Sequence, residues 1–178
     1  MNLPNKITIF RMCMIPFFLV FFLMESIPYH NWLALLIFII ACISDAVDGN
    51  MARKYNLVTN FGKFMDPLAD KLLVCTALLC FVEQGTLNLL IAIIIVAREF
   101  IISGFRTVAA EGGLVLAASY WGKAKTIAQM IMCCLLIVHL DFFIFPVLEM
   151  IFIWISFALT VISLVDYVVK NRRILSFK

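Results

Sequence analysis

Six apolar stretches, each close to the length of a membrane-spanning helix, constrain this chain more than any other feature. Hydrophobic residues make up 65% of its 178 residues and charged residues 14%, whereas soluble domains contain about 45–50% apolar and about 25% charged residues. So few charges do not cover the surface of a water-soluble fold of this size. We therefore predict an all-α, polytopic membrane protein with six transmembrane helices. The apolar stretches are Ile7–Met24, Trp32–Ile43, Leu68–Val82, Leu87–Ile102, Ile127–Leu140 and Val147–Val165.

Charged residues at the ends of these stretches belong to the helices in this prediction. A spanning helix needs about 20 residues, with about 17 as the lower limit, and several stretches are shorter when they are counted without charges. They reach the required length if the flanking charges lie on the helices as well. The flanking residues are Arg11, Asp45, Lys71, Arg98 and Lys125.

The distribution of basic residues indicates the topology. Threading six spans from the N-terminus places all fourteen Lys and Arg residues on one side of the membrane or toward that end of a helix. The positive-inside rule then predicts that both termini lie in the cytosol. The net charge of +3 fits loops that face anionic lipid headgroups, and we expect no nucleic-acid partner. The opposite loops contain no Lys or Arg and hold Glu25, His30, Glu83, Asp141 and Glu149.

The chain is predicted to form a single domain over residues 1–178, because its sequence contains no Gly/Ser-rich linker, low-complexity tract or repeat of fixed period. Two polar segments interrupt the apolar pattern, Ser44–Lys71 and Arg106–Lys125. The second contains Glu111-Gly112-Gly113, a predicted helix break. Both segments lie on the cytosolic side in the predicted topology, so the chemistry is expected to face the cytosol.

Four aspartates in the first polar segment form the strongest functional pattern. Asp45 and Asp48 are three residues apart, so they share one face of a helix. Asp66 and Asp70 are four apart and share a face in the same way. Two helices joined by a short loop are natural antiparallel neighbours, which allows the two faces to converge.

Clustered carboxylates repel one another, and hard divalent cations relieve that repulsion when the carboxylate oxygens bind them. The sequence therefore predicts a site for Mg²⁺ or Mn²⁺, where two ions about 3.5–4 Å apart suit displacement at phosphorus.

Small and basic residues accompany the first pair of aspartates. Gly49 and Ala52 lie on the same predicted helical face as Asp45 and Asp48. Because their side chains are very small or absent, a ligand can approach the backbone there. Arg53 follows and can offer bidentate contacts to a phosphate.

The second helix of the pair repeats the arrangement, with Gly62, Asp66 and Asp70 at intervals of four residues. Pro67 is unfavourable inside a helix, so this helix is expected to begin near Asp66 or to kink there. An alternative interpretation is that the first aspartates only end a span while the basic residues obey the positive-inside rule. The number and order of the acidic residues argue against it.

The complete pattern, DxxDGxxAR followed after eight residues by GxxxDxxxD, resembles the signature of the CDP-alcohol phosphatidyltransferase family. Every position is matched between Asp45 and Asp70. Ala46-Val47 stands where many relatives have an aromatic residue, but it includes no proposed ligand. Other segments are similar to the bacterial members that use glycerol 3-phosphate as the acceptor: Asn2–Thr8 with Arg11, Thr59–Lys71, Ala97–Phe100, Ser103–Arg106 and Gly122–Thr126.

The resemblance implies a reaction in which CDP-diacylglycerol and sn-glycerol 3-phosphate give phosphatidylglycerophosphate and CMP. It also implies a six-helix homodimer in the bacterial cytoplasmic (inner) membrane, with its site at the cytosolic surface. It assigns Asp45, Asp48 and Asp66 as metal ligands. It assigns Asp70 as a further ligand or as the general base that takes the proton of the acceptor hydroxyl.

The resemblance also suggests which residues bind the two substrates. Those expected to hold the CDP-lipid are Gly49, Ala52, Arg53 and Gly62, together with Asn5 and Thr8. An equal alternative for Asn5, Thr8 and Arg11 is that they anchor the end of the first helix. The acceptor carries its own phosphate, and the candidates for binding it are Arg98, Arg106, Lys123 and Lys125. The alternatives for these four are a buried structural network of Arg98 with Glu99 and ordinary positive-inside charges.

Two rival functions are consistent with parts of the pattern. The same chemistry with another acceptor, such as inositol phosphate or serine, would preserve the aspartates and change the basic residues. An ion-coupled transporter also places acidic residues within a membrane. Here the acids lie toward the cytosolic end, and the sequence contains neither an inverted repeat nor a pair of interrupted helices. An inactive scaffold would not require the complete set of acids.

Overall fold

The computed structural model describes the backbone of residues 3–54, 60–111, 119–140 and 142–171. The side chains of residues 3–6, 45–54, 60–64, 66–67, 70 and 110–111 lie outside the described part of the protein. Within these limits the regular secondary structure is entirely α-helical, which confirms the predicted all-α class. The helices are α1 (Leu3–Leu23), α2 (His30–Lys54), α3 (Asn60–Glu83), α4 (Leu89–Glu111), α5 (Tyr120–Val138) and α6 (Phe145–Lys170).

The helices are longer than the apolar stretches from which they were predicted. All five flanking charged residues lie on helices, from Arg11 in α1 to Lys125 in α5. By length and composition, α5 and α6 could each cross a membrane. The described parts of α1 and α2 contribute the shorter apolar segments Ile7–Leu23 and His30–Ser44. Six spans with both termini in the cytosol therefore stay a prediction.

Glycine and proline each led to a prediction about a helix boundary. Helix α4 extends to Glu111, and Gly112 and Gly113 lie outside the described residues, so the break predicted at this pair stays a prediction. Helix α3 begins at Asn60 and continues through Pro67, so the alternative in which it begins near Asp66 is wrong. Inside a helix, proline has no amide to donate to the carbonyl four residues before it, and its ring crowds that carbonyl, so the kink expected at Pro67 stays a prediction.

A glycine closes the other end of α3. Gly85 has φ +75°, in the left-handed region that glycine adopts without steric cost. The amide of Thr86 donates to the Phe81 carbonyl at 3.0 Å, which satisfies a carbonyl at the end of the helix. The chain thus leaves α3 in a tight turn and enters α4 at Leu89.

The residues separate into two compact units, and the first takes in residues 1–80 and 137–139. In this unit α1 packs against α2. The ring centroids of Phe18 and Phe38 lie 6.0 Å apart, those of Phe18 and Phe22 lie 5.5 Å apart, and all three side chains are buried. Thr8 and Arg11 are also buried on α1, so this helix buries polar as well as apolar side chains.

The second unit takes in residues 81–136 and 140–178. In this unit α4 packs against α6, and the rings of Phe105 and Tyr167 lie 6.4 Å apart. Helix α6 is apolar overall but buries Ser156, Thr160 and Ser163. Two of these hydroxyls donate to carbonyls of the preceding turn, a common way for Ser and Thr to satisfy themselves in an apolar helix. These bonds run from Thr160 Oγ1 to Ser156 O at 2.7 Å and from Ser163 Oγ to Thr160 O at 3.0 Å.

Candidate active site

The four aspartates lie on two helices, as their spacing predicts. Asp45 and Asp48 belong to the last part of α2, and Asp66 and Asp70 belong to the first part of α3. Because both segments are helical, each pair lies on one face of its own helix. Their side chains, and those of Gly49, Ala52, Arg53 and Gly62, are outside the described residues, so convergence of the two faces stays a prediction.

The chemistry of the aspartate set fits a hard divalent cation. Four carboxylates offer only oxygen donors, the ligands that Mg²⁺ and Mn²⁺ prefer. Elsewhere, the described side chains contain no group of three or more His, Cys, Asp or Glu residues that could hold a metal ion. If a metal is bound, the aspartates of α2 and α3 are its candidate ligands.

A second group of charged residues joins three helices of the second unit. We call Arg98, Glu99, Lys125 and Ser163 the Glu99 cluster. Arg98 Nη1 donates to Glu99 Oε1 at 3.0 Å, and Lys125 Nζ donates to the same oxygen. Arg98 Nε donates to Ser163 Oγ at 3.1 Å. The cluster thereby connects α4, α5 and α6 through side chains that are distant in sequence.

The Glu99 cluster contains two buried cations and only one carboxylate. Arg98 is 7% exposed and Lys125 2% exposed, and together they face the single carboxylate of Glu99. Buried charges are stable only when they are paired and hydrogen-bonded. One carboxylate balances one of the two cations, so the cluster is suited to receive a further anion.

One end of the Arg98 guanidinium faces the start of α5. A Cβ placed on Gly122 would lie 3.5 Å from Arg98 Nη2, so Gly122 leaves this nitrogen more accessible than a larger residue would. Arg98 Nη2 donates no hydrogen bond to any described residue. Ser119 Oγ accepts from the Gly122 amide at 3.1 Å and caps the helix. The positive end of the α5 dipole therefore lies beside an arginine donor, and both favour an anion.

The remaining predicted residues lie in different environments. Arg106 and Lys123 are exposed and form no ion pair with a described residue. The structure therefore brings together two of the four candidates for the acceptor phosphate, Arg98 and Lys125. Thr8 is completely buried on α1, and the side chain of Asn5 is outside the described residues.

Sequence reasoning missed Ser163 as a member of this cluster. It assigned no role to α6, although Ser156, Thr160, Ser163 and Tyr167 follow one another at helical spacing and lie buried on that helix. Polar residues at i, i+4, i+7 and i+11 mark one helical face. This pattern could have indicated a role for α6, because a row of polar residues on one face of an apolar helix predicts a buried polar partner. It does not identify Arg98 as the partner.

Comparison with known proteins supplies independent information. The family model described as CDP-alcohol phosphatidyltransferase matches residues 1–162. The chain is 43% identical to CDP-diacylglycerol–glycerol-3-phosphate 3-phosphatidyltransferase of Bacillus subtilis (strain 168), over 96% of this chain and 95% of that protein. It is 41% identical to the protein of the same name from Haemophilus influenzae, over 93% and 91%. It is 43% identical to the Escherichia coli (strain K12) protein of that name, over 73% of each chain.

Proposed function

The chain belongs to the CDP-alcohol phosphatidyltransferase family, and on this basis we propose that it transfers a phosphatidyl group from CDP-diacylglycerol to sn-glycerol 3-phosphate. The products are phosphatidylglycerophosphate and CMP. One observation carries the proposal: the chain is similar, over 73–96% of its length, to three proteins whose names state this activity. The aspartate motif on α2 and α3 is complete, as the reaction requires.

The transfer is a displacement at phosphorus. The 1-hydroxyl oxygen of the acceptor attacks the phosphorus that bears diacylglycerol, and the bond from that phosphorus to the CMP oxygen breaks. Asp70 takes the hydroxyl proton, while Asp45, Asp48 and Asp66 would hold the metal. Mg²⁺ or Mn²⁺ bound there would supply stabilisation of the negative charge that develops during the displacement.

The CDP-lipid is held beside the same aspartates. Gly49, Ala52 and Gly62 leave room for the nucleotide against the helix backbones, and Arg53 binds a phosphate of the leaving group. Asn5 and Thr8 of α1 are the remaining candidates, although the complete burial of Thr8 favours an anchoring role for that residue.

The acceptor phosphate is bound by the basic residues of α4 and α5. Arg98 is the strongest candidate, because its Nη2 faces Gly122 and the N-terminus of α5. Lys125 contributes positive charge from within the cluster, since its Nζ already bonds to Glu99. Arg106 and Lys123 are exposed and would act by attracting the acceptor or by binding its outer oxygens.

The proposal places the enzyme in the bacterial cytoplasmic membrane as a homodimer, with the active site toward the cytosol. The segregation of Lys and Arg supports this orientation, and the long apolar helices α5 and α6 support a membrane location. Labelling of single cysteines at the chain ends and in the loops of intact cells would test the orientation.

The central test is an acceptor assay on protein purified in detergent. Radiolabelled glycerol 3-phosphate, inositol phosphate and serine are offered in turn with CDP-diacylglycerol and Mg²⁺. Label is expected to enter lipid only from glycerol 3-phosphate, and EDTA is expected to abolish the transfer until excess Mg²⁺ or Mn²⁺ is restored. Metal-dependent transfer to another alcohol would retain the aspartate site and contradict the acceptor assignment. Absence of transfer to all three by folded protein would contradict the proposed function.

Replacing Arg98 with lysine tests its role in acceptor binding. Lysine retains the charge but loses the planar fork of donors, so KM for glycerol 3-phosphate is expected to rise about tenfold or more, as for loss of a hydrogen bond to a charged group. KM for CDP-diacylglycerol should stay within about twofold of the original value. Lys170→Gln is the control, because Lys170 is an exposed residue paired with Asp166. An unchanged KM for glycerol 3-phosphate in Arg98→Lys would show that the acceptor phosphate binds elsewhere.

A further inference from the structure

We propose that Ser163 of α6 is a positioning residue that orients Arg98 for the acceptor phosphate. This inference rests on the proposed function, and it adds a residue from a helix to which sequence reasoning assigned no role. Ser163 does not itself contact the acceptor in this proposal; it acts through the Arg98 guanidinium. The hydrogen bonds that link Ser163, Arg98 and Glu99 all lie within the second unit of the structure.

The Ser163 hydroxyl has both of its hydrogen-bonding functions committed. Its proton is donated to the Thr160 carbonyl at 3.0 Å, which leaves its lone pairs directed away from that carbonyl. One lone pair accepts from Arg98 Nε at 3.1 Å. A hydroxyl can donate once and accept at the same time, so Ser163 links α4 to the backbone of α6. Ser163 is completely buried, and water is not available to replace this acceptor if it is removed.

Two bonds from different helices fix the plane of the guanidinium. Nε is held by Ser163 of α6, and Nη1 is held by Glu99 of α4 itself. A planar group that is held at two of its nitrogens has its third nitrogen fixed in direction. That third nitrogen is Nη2, which lies 3.5 Å from the position of a Cβ on Gly122. Ser163 therefore determines that Nη2 points to the start of α5 before the acceptor arrives.

Preorganisation of this kind lowers the cost of binding. An arginine that is held only by Glu99 can rotate about its side-chain bonds, and binding of the phosphate must then restrict it. Loss of the Ser163 hydroxyl also leaves a buried Nε donor unsatisfied, which favours a different rotamer of Arg98. Both effects weaken binding of the phosphate of the acceptor. Neither acts on the CDP-lipid, whose candidate residues lie on other helices.

A purely structural role for Ser163 makes a different prediction. If the bond to Arg98 only joins α4 to α6, its loss lowers the thermal stability and leaves the KM values of the folded enzyme unchanged. Ser156 provides the matched control, because it is a completely buried serine on the same helix and its Oγ makes no hydrogen bond to a described residue. Ser156→Ala removes the same atom from the same helix without touching Arg98.

The experiment compares the KM values for both substrates in purified Ser163→Ala, Ser163→Cys and Ser156→Ala. Ser163→Cys keeps the shape of the side chain with a somewhat larger terminal atom and replaces the hydroxyl with a weak acceptor, so it leaves no cavity and serves if the alanine variant does not fold. Both Ser163 variants are expected to raise KM for glycerol 3-phosphate about tenfold, with kcat and KM for CDP-diacylglycerol within about twofold of the original protein. Ser156→Ala should leave all three values unchanged.

A double variant separates positioning from general damage. In an Arg98→Lys background, Ser163→Ala is expected to raise KM for glycerol 3-phosphate by less than twofold, because the group that Ser163 orients is gone. An unchanged KM in folded Ser163→Ala and Ser163→Cys would overturn the positioning role, and so would an equal rise for both substrates. The unaltered protein is assayed in parallel. Its transfer to glycerol 3-phosphate tests the proposed function independently of Ser163, so failure of the two proposals is distinguished.

Discussion

Replacing Asp70 with asparagine is expected to lower kcat by about 10²- to 10⁴-fold, the contribution of a positioned general base. Asparagine has the size of aspartate but cannot take a proton from the acceptor hydroxyl. Asp70 lies within α3, and the substitution leaves the helix itself intact because Asn and Asp have similar helix propensities. The loss is therefore expected in turnover and not in folding.

The measurement is initial-rate kinetics with glycerol 3-phosphate, together with binding of CDP-diacylglycerol to the variant. Glu83→Gln is the control, because it makes the same change of carboxylate to amide at an exposed position at the end of the same helix. Retained CDP-lipid binding with lost turnover would support Asp70 as the base. A large rise in the Mn²⁺ concentration required for activity would show that it is a metal ligand. Near-normal kcat would refute both roles.

Replacing Glu99 with alanine is expected to lower the free energy of unfolding by about 3 kcal/mol, the lower end of the cost of breaking a buried ion pair. Arg98 and Lys125 would then lie buried together without the carboxylate that balances them. Mutual repulsion of two desolvated cations adds to the loss of their hydrogen bonds. For a protein of this size, such a loss corresponds to a decrease of about 6–12 °C in Tm.

Thermal unfolding in detergent, followed by the loss of the monodisperse peak in size-exclusion chromatography, measures this effect. Glu25→Ala removes an exposed carboxylate from the turn between α1 and α2 and should leave Tm unchanged. The paired variant Glu99→Gln with Lys125→Met removes one charge of each sign. It is expected to be more stable than Glu99→Ala, because only one buried cation then lacks a carboxylate partner. A Glu99→Ala protein with unchanged Tm would show that the cluster contributes nothing to stability.

Much of the fold follows from local properties of the sequence. Apolar stretches with charged ends predicted helices, and Arg11, Asp45 and Lys125 all lie on them. The break expected at Gly112 and Gly113 rests on the backbone preferences of glycine alone, and it stays a prediction because both residues lie outside the described part of the chain. The effect of Pro67 was harder to predict. A proline at a given position is compatible with a helix start or with a helix that continues through it, and α3 continues.

The aspartate motif was also predictable, because its members are close in sequence. Intervals of three and four residues place Asp45 with Asp48, and Asp66 with Asp70, on one face of any helix that contains them. The chemistry of four oxygen donors then limits the choice of metal. No knowledge of how the helices pack is needed for either step, and the family match over residues 1–162 agrees with what the motif predicts.

The Glu99 cluster depends on contacts between distant parts of the chain. Lys125 lies 26 residues from Glu99, and Ser163 lies 65 residues from Arg98. A single sequence contains no signal for such a pairing, since any buried serine on an apolar helix can satisfy itself within its own turn. Helix packing selects Arg98 and Lys125 for burial and leaves Arg106 and Lys123 exposed. The residue types and their local spacing therefore determined the helices, and they predict the metal-binding chemistry. Packing of α4, α5 and α6 decided which charges share a buried partner, because burial is a property of several helices together.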